Sequence, residues 1–287
     1  RIAHWLHRNT RKHARDNVEA HYDLGNDFYA SWLDATMTYS SAVFGHLPPA
    51  GEALETAQKR KIGLILDRAQ LKPSHKLLEI GCGWGGLAEA ALEHAPISYH
   101  GISLSPEQIR FAEARLAEKR DRKITLTDYR DVIGQYDAIA SVEMVEAVGQ
   151  EYWPAYLDCI VRCLKLGGRA ALQYIRIEDD IFEQYADGQD FIQRYIFPGG
   201  MLLSESRFRA LAEERGLRWE DQADYGEHYA ETLRLWRERF EAAVAERRLP
   251  AGFDEKFVAL WRFYLMYCEG GFRGGGINVA QVTLVKS

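Results

Sequence analysis

Leu-Leu-Glu-Ile-Gly-Cys-Gly-Trp-Gly-Gly-Leu, residues 77–87, is the stretch that decides the fold. The short apolar run Lys76–Ile80 predicts a buried strand, and a helical pattern resumes over residues 87–92. Between them lie four glycines in six residues: Gly81, Gly83, Gly85 and Gly86. A tight turn that binds nothing does not need so many, whereas a glycine turn before a helix N-terminus lets backbone N–H groups approach a ligand. The stretch therefore predicts a ligand site at a strand–turn–helix corner.

Around this corner the sequence alternates between strand and helix patterns. The predicted strands cover residues 76–80, 97–103, 124–127, 136–142, 169–175, 217–223 and 279–285, the last as an edge strand. The predicted helices cover residues 52–69, 87–92, 105–119, 151–165, 204–216, 229–248 and 253–269, followed by a loop at 270–276. This order predicts an α/β fold with a mostly parallel seven-stranded sheet, an antiparallel last strand and helices on both faces. The ligand is then expected at the carboxyl ends of the strands.

Size and charge set the first limits on organisation and function. With 287 residues, 47% of them hydrophobic and 27% charged, the chain is long enough to bury the core of one large domain. We expect a single domain, residues 1–287, with a helical segment and site wall (1–70), a ligand-binding core (71–175), a covering insertion with helices (176–277) and the last strand (278–287). The net charge of −6 argues against a nucleic-acid partner.

The sequence predicts neither a metal site nor a disulfide framework. Of the four cysteines, Cys159 and Cys163 lie one helical turn apart and are expected to share a buried face. No run of 18 apolar residues and no signal peptide is visible, so a reducing cytoplasm is the expected compartment. A chain that opens at Arg1 rather than at methionine indicates trimming.

Two interpretations of the N-terminal segment stay open. Residues 1–20 are basic and compatible either with a solvated helix packed on its own domain or with a contact to an anionic membrane surface. Residues 21–44 interleave aromatic and polar side chains, and polar groups are costly to bury without partners. Part of this second segment is therefore expected to form the wall of a site.

The glycine corner could serve a dinucleotide. Gly81, Gly83 and Gly86 match the pattern G-x-G-x-x-G of dinucleotide-binding dehydrogenases, which is confirmed by an acid about 20 residues further on. Residues 103–105 hold Ser-Leu-Ser at that place. The absence of the acid disfavours a nicotinamide dinucleotide.

Glu79 points to a different donor, because an acid before the first glycine can face the positively charged amino group of a methionine moiety. Asp137 precedes the fourth predicted strand, and Leu-Lys-Leu-Gly-Gly precedes the fifth at residues 164–168. This combination resembles the class I S-adenosylmethionine-dependent methyltransferases.

Within that class, the chain resembles the cyclopropane fatty acid synthase family, which includes the mycolic acid cyclopropane synthases. The motifs that carry the resemblance occur in order from His21 to the C-terminus. They are His-Tyr-Asp-Leu (21–24), Thr-Tyr-Ser (38–40), the glycine turn, Glu-Met-Val-Glu-Ala-Val-Gly (143–149), Arg-Tyr-Ile-Phe-Pro-Gly-Gly (194–200), Gly-Glu-His-Tyr (226–229) and the aromatic C-terminal helices. The resemblance implies a Rossmann-like class I methyltransferase fold with N-terminal helices and a helical, aromatic insertion that covers the substrate.

The resemblance also implies a reaction on the double bond of an unsaturated fatty-acyl chain, in a membrane phospholipid. In the family the alkene attacks the sulfonium methyl of S-adenosylmethionine, a carbocation forms, and loss of a methyl proton closes a cyclopropane ring. The base is a bound bicarbonate. Its cage corresponds here to Ser41, Glu146, Gln173, Tyr229 and the backbone of Ile175.

Two cage positions depart from the family pattern. The family commonly has cysteine where this chain has Ser41, and often histidine where it has Gln173. A backbone N–H contact survives the first change, whereas glutamine keeps a donor but cannot take up a proton. The expected product is a cyclopropane fatty acid, and the alternative is a methylene- or methyl-branched chain formed without ring closure.

The same resemblance assigns the donor contacts. They are Tyr22, Tyr39 and Ser40 at the methionine end and sulfonium, Gly81 and Gly83 at the methionine and ribose, Ser103, Leu104, Ser105 and Gln108 after the second strand, and Tyr129 and Arg130 beside the adenine. Spare apolar material in residues 191–203 and 261–267 is expected to wall a tunnel for the acyl chain.

Two other functions stay open at this point. Amine N-methyltransferases share the scaffold and would need a small closed pocket, and a lipid-binding protein could hold the donor without turnover. The expected location is the cytoplasm, peripherally at the inner face of the membrane. The oligomeric state, a homodimer included, is left open.

Overall fold

The computed structural model describes residues 24–287, built around one sheet. Its strands are β1 (Lys76–Ile80), β2 (Ser98–Ser103), β3 (Arg122–Leu126), β4 (Tyr136–Val142), β5 (Leu164–Ile177), β6 (Leu203–Ser204), β7 (Leu217–Asp224) and β8 (Ile277–Lys286). Seven of them follow the order β3-β2-β1-β4-β5-β8-β7, and the short β6 pairs with β5 beside that path. Strand β8 is antiparallel to β5 and β7, and the other pairs are parallel. The predicted Rossmann-like sheet is confirmed.

The last strand is not an edge strand, which corrects the sequence prediction. Strand β8 lies between β5 and β7, and its residues 279–285 are all buried. The alternation that suggested an exposed face comes from Gln281 and Thr283, yet both side chains are fully buried. Strand β7 forms this edge of the sheet instead.

Helices cover the sheet and extend beyond it. They are α1 (Asn26–Ala30), α2 (Leu54–Ala69), α3 (Gly86–His94), α4 (Pro106–Arg115), α5 (Trp153–Cys163), α6 (Asp179–Asp187), α7 (Phe191–Tyr195), α8 (Glu205–Glu213), α9 (Gly226–Ala245) and α10 (Glu255–Arg273). Local signals begin several of them. Ser105 caps α4 by accepting the Gln108 N–H at 3.3 Å, and Asp254 caps α10 by accepting the Phe257 N–H at 2.8 Å. Cys159 and Cys163 share the buried face of α5, as predicted.

Three segments contain more regular structure than the elements placed along the sequence. Residues 164–168, predicted as the end of a helix followed by a glycine turn, belong to β5, and the register of β5 against β4 shifts between Tyr136 and Ala138. Residues 270–273 continue α10, where a Cβ atom on Gly271 would lie 3.0 Å from Cδ1 of Ile277. The segment 176–203 holds α6 and α7. Glycine content alone therefore predicted too many interruptions of helices and strands, because glycine also occurs where two elements pack closely together.

Aromatic side chains join the N-terminal part of the described chain to the C-terminal helices. Phe28 and Trp32 pack against Trp236 of α9 and Trp261 of α10, and all four are at most 2% exposed. The ring centroids of Trp32 and Trp236 are 5.7 Å apart, and those of Phe28 and Trp261 are 5.0 Å apart. These contacts hold residues 24–44 against the helices that cover the sheet.

The predicted basic helix, its membrane contact and Tyr22 fall within residues 1–23, outside the described residues. Within residues 24–287, no helix combines the length and apolar character needed to cross a membrane.

Candidate functional site

A cavity of about 840 Å³ lies at the carboxyl ends of the parallel strands. Its wall runs from the glycine turn after β1, past the residues that follow β4, to α10. Met266 and Tyr267 of α10 line it and are 52% and 42% exposed, so the cavity reaches the surface there. One continuous space therefore joins the glycine corner to the C-terminal helices.

The glycine turn contributes bare backbone to this wall. Gly81 and Gly83 have φ angles of +86° and +50°, which residues with a side chain seldom adopt. A Cβ atom on Gly81 would lie 2.9 Å from Cγ of Met144, whereas one on Gly83 would meet no atom within 4 Å. Because Gly83 lines the cavity, that open space belongs to the cavity. Helix α3 begins directly afterwards at Gly86, so the turn is a backbone cradle at a helix N-terminus.

Glu79 lines the cavity just before the cradle. Its side chain is 3% exposed and accepts a hydrogen bond from the Tyr99 hydroxyl. Burial raises the pKa of Glu79 to about 7, and the contacts with Tyr99 and Lys61 act against that rise. A cation bound beside this carboxyl group would favour its ionised form.

The ends of β2 and β3 bring most of the predicted nucleoside contacts to the same wall: Ser103, Leu104, Gln108, Tyr129 and Arg130. The Ser103 hydroxyl donates to Gln108 Oε1 at 2.9 Å, and Arg130 pairs with Asp128 at 2.6 Å. Ser105 is not among the lining residues, since its side chain caps α4 instead.

Tyr39 and Ser40, the other predicted donor contacts, also line the cavity. The hydroxyl oxygens of Tyr39 and Tyr264 are 2.6 Å apart, which ties this segment to α10. The open backbone at Gly83, the buried Glu79 and the Tyr39 ring together fit S-adenosylmethionine, which carries an amino group, a nucleoside and a sulfonium cation. These residues would hold the donor along the glycine cradle.

Glu143 is where the predicted anion-binding groups converge. It follows β4 directly, with a φ angle of +48°, and lines the cavity. Its Oε1 accepts from the Ser41 N–H at 2.8 Å and from Gln173 Nε2 at 2.7 Å, and its Oε2 accepts from the Tyr229 hydroxyl at 2.6 Å. Burial raises the pKa of Glu143, while these donors and Lys61 oppose the rise.

This geometry disagrees with the expected bicarbonate cage. Ser41 and Gln173 are 1% and 2% exposed and stand behind the wall, whereas Tyr229 lies on it. All three donate to Glu143, so a carboxylate of the chain itself occupies the point where a bicarbonate would need their hydrogen bonds. A bicarbonate ion does not fit among these donors.

Glu146 and Ile175 form a second pair on the wall. Glu146 lies in the short 3₁₀ segment Val145–Ala147, and its Oε1 accepts from the Ile175 N–H. Its Oε2 is buried without a hydrogen-bond partner in the described residues. Burial, and then the nearby Glu143, raise the pKa of Glu146 to about 8. The two neighbouring acids therefore differ: donors favour the charge on Glu143, whereas Glu146 favours its protonated form.

Sequence reasoning missed two residues of this site. The argument that selected Glu146, an acid just past a buried strand at the carboxyl edge, applies equally to Glu143 and would have found it. Lys61 looked like an ordinary helix residue, yet it is 1% exposed and lines the cavity. Only the packing of α2 reveals that second residue.

The raised pKa of Glu146 predicts how stability depends on pH. The folded state holds the proton of Glu146 more tightly than the unfolded state does. This proton therefore stabilises the fold most at acidic pH, and that stabilisation is lost as pH rises through about 8. We expect the melting temperature of the donor-free protein to fall as pH rises toward about 8. Glu146→Gln should flatten this slope, measured by circular dichroism across the pH range. Parallel slopes in the parent and the variant would contradict the assignment.

The sequence matches one protein family over nearly its whole length. The family model described as mycolic acid cyclopropane synthetase matches residues 9–282. The chain is 44% identical, over 96% of its length, to the tuberculostearic acid methyltransferase UfaA1 of Mycobacterium tuberculosis. It is 37% identical, over 93% of its length, to the cyclopropane-fatty-acyl-phospholipid synthase of Escherichia coli. It spans 66% of the length of each of these two relatives.

A solved structure extends the similarity to three dimensions. The mycolic acid cyclopropane synthase CmaA1, complexed with SAH and CTAB, superposes with a TM-score of 0.88 and 31% sequence identity, covering 95% of this chain and 98% of that one. The family model covers nearly the whole chain, and the fold is that of the methyltransferases among the structural neighbours. The chain therefore belongs to the mycolic acid cyclopropane synthetase family.

Proposed function

We propose that this chain transfers a methyl carbon from S-adenosylmethionine to the double bond of an unsaturated fatty-acyl chain and releases a branched product without ring closure. The observation that carries the proposal is the Glu143 carboxylate, held by three donors on the wall of a cavity that continues from the glycine cradle to α10. This arrangement supplies one fixed anionic base beside an apolar channel.

The position of Glu143 suits a base for the transferred carbon. Met144, its neighbour in the chain, lies against Gly81 of the cradle, so the carboxylate is held close to the donor side of the cavity. S-adenosylmethionine would supply an electrophilic methyl group there, and S-adenosylhomocysteine would leave with the electron pair of the broken carbon–sulfur bond. The π electrons of the alkene form the new carbon–carbon bond, and the positive charge is left on the neighbouring carbon. A hydride shift from the carbon that carries the new methyl group moves the positive charge onto that carbon. Glu143 then accepts a proton from the methyl group, and the electron pair left behind forms the methylene double bond, so the neutral chain gains one carbon.

The bonding of Glu143 favours branching over ring closure. Two donors already bind Oε1 and one binds Oε2, so few lone pairs of the carboxylate remain free and proton transfer to it is slowed. A slower proton transfer lets a hydride shift within the cation come first, after which loss of the methyl proton yields a methylene branch. The 44% identity to a tuberculostearic acid methyltransferase supports this product, and the 37% identity to a cyclopropane synthase supports ring closure as the second candidate.

The rest of the cavity supports an acyl substrate more than a small amine. Beyond Glu146, the wall is built largely from apolar and aromatic side chains of α7, α9, α10 and the residues after α7. Phe263 and Met266 of α10 are exposed apolar side chains, and Met266 also lines the cavity. A mouth of this kind suits an acyl chain that enters from a phospholipid layer, so we include peripheral contact with a membrane in the proposal.

Analysis of lipids from a bacterial host that expresses the chain tests the function. We expect a new acyl species, one carbon heavier, in the phospholipid fraction. Mild hydrogenation before mass spectrometry separates the two products, because a methylene branch takes up hydrogen and a cyclopropane ring does not. Cells that express the Glu143→Gln variant are the control. An unchanged lipid profile, with active donor binding in the purified protein, would overturn the proposal in favour of a binding protein or another acceptor.

Removing the hydroxyl group of Tyr229 tests the role of the Glu143 cage. Tyr229→Phe keeps the ring, whose centroid is 4.5 Å from that of Phe272, but removes the donor to Glu143 Oε2. We expect kcat to fall about 10- to 100-fold, because a hydrogen bond to a charged group is lost. Tyr195→Phe, at a tyrosine that is 54% exposed, is the control and should keep the parental rate. Equal rates in both variants would remove Tyr229 from the mechanism.

A further inference from the structure

Two buried polar side chains of α2 meet the same residue of the N-terminal segment. Gln58 and Lys61 are three positions apart and so share a helix face, and they are 0% and 1% exposed. Gln58 Nε2 donates to the carbonyl oxygen of Ser40 at 2.8 Å, and Lys61 Nζ donates to the Ser40 hydroxyl at 2.6 Å. Nothing in the proposed reaction yet uses either side chain.

The contact with Ser40 leads directly to Glu143. The Ser40 carbonyl and the Ser41 N–H belong to one peptide group, and that N–H donates to Glu143 Oε1 at 2.8 Å. Gln58, the peptide and Glu143 therefore form one hydrogen-bonded chain. A donor on the carbonyl end polarises the peptide and strengthens its N–H as a donor.

Lys61 adds a charge to this arrangement. A lysine this deeply buried needs compensating negative charge, and its ammonium group interacts with the carboxylates of Asp34, Glu79 and Glu143. Burial lowers the pKa of Lys61 to about 8, while these carboxylates oppose the change. The cation is thus retained near neutral pH at the inner side of the cavity.

We propose that Gln58 and Lys61 are positioning residues for the transfer reaction: they fix the Ser40–Ser41 peptide against Glu143, and Lys61 keeps Glu143 in the ionised form that can accept a proton. This inference rests on the proposed role of Glu143 as the base. Neither residue is required to touch the substrate.

The charged and polar groups around Glu143 give the direction in which loss of Lys61 should shift its pKa. Tyr229 faces it from α9, Glu146 from the turn after β4, Lys61 from α2, and the amide of Gln173 from β5. Of these groups, Lys61 is the cation, so its loss leaves Glu143 beside Glu146 without that opposing charge. The pKa of Glu143 should then rise, and the acidic limb of the kcat profile should move to higher pH.

Lys61→Met, which keeps an unbranched side chain one atom shorter but removes its charge, tests the inference against Lys59→Met. Lys59 lies on the same helix, is 67% exposed and pairs with Glu55, so its replacement should leave activity and pH profile unchanged. For Lys61→Met we expect kcat to fall about 10- to 100-fold and the acidic limb to rise by about one pH unit. Gln58→Met should lower kcat without a comparable shift of the limb.

The outcomes separate this inference from the proposed function. If Glu143→Gln turns over normally, the proposed base is wrong. If Glu143→Gln is inactive but Lys61→Met keeps the parental pH profile, only the positioning role is overturned. A lower melting temperature of Lys61→Met does not change that conclusion. If Lys61→Met does not fold, Gln58→Met tests the positioning role instead. A parental kcat in Gln58→Met then overturns the inference.

Discussion

Replacing Glu143 by glutamine should lower kcat by about 10²- to 10⁴-fold, the range expected when a general base is lost. The amide is close in size and can still occupy the space between Ser41, Gln173 and Tyr229, but it cannot accept the proton from the transferred carbon. Donor binding should persist, because the glycine cradle is untouched. Single-turnover assays with an unsaturated phospholipid, together with calorimetric binding of S-adenosylhomocysteine, measure the two effects separately.

Two further glutamine variants make this result specific. Glu118→Gln, on an exposed surface, should behave as the parent. Glu146→Gln should retain more activity than Glu143→Gln, because the raised pKa of Glu146 already favours a neutral side chain. If Glu146→Gln is inactive and Glu143→Gln is active, the base is Glu146 and the role proposed for Glu143 is refuted.

Filling the glycine cradle should have an effect of similar size on donor binding. Gly83→Asn places a side chain where a Cβ atom meets open cavity space, and asparagine tolerates the left-handed backbone that Gly83 adopts with a φ of +50°. The fold should therefore survive while the donor is excluded. We expect the affinity for S-adenosylhomocysteine to fall by about 100-fold or more, equivalent to a loss of about 2.7 kcal/mol.

Gly167→Asn is the matched control for this variant. Gly167 also has a positive φ, +73°, and a Cβ atom added there would meet no atom within 4 Å, but it is exposed and is not among the cavity-lining residues. Its melting temperature should change as much as that of Gly83→Asn, while donor affinity stays at the parental value. Undiminished affinity in Gly83→Asn would show that the donor does not rest on this turn.

The sequence was most informative where backbone geometry and local pattern coincide. Strands β1 and β4 are found at their predicted bounds, because each is a short, largely apolar run that polar or glycine residues interrupt at both ends. It was least informative where polar groups are buried. Gln281 and Thr283 made β8 look half exposed, yet the strand is covered on both faces. Long-range packing, which no local pattern records, decided that difference.

The candidate site also has a part that the sequence predicts and a part that it does not. The cradle could be predicted, since glycines after a buried strand require close approach of a ligand to the backbone. The predicted cage residues Ser41, Gln173 and Tyr229 do come together, but around Glu143 rather than around a separate anion. That outcome depends on the left-handed turn at Glu143, which residue type alone does not predict.

By itself, the sequence determined the family, the alternation of strands and helices, and the corner where the donor is expected, because these follow from local spacing and from motifs in a constant order. Only the tertiary structure decided which carboxylate receives the converging donors and that Lys61 stands behind it. The hydrogen bond between Glu143 and Tyr229 joins residues 86 positions apart in the chain, and such a distance follows only from how the sheet and helices pack.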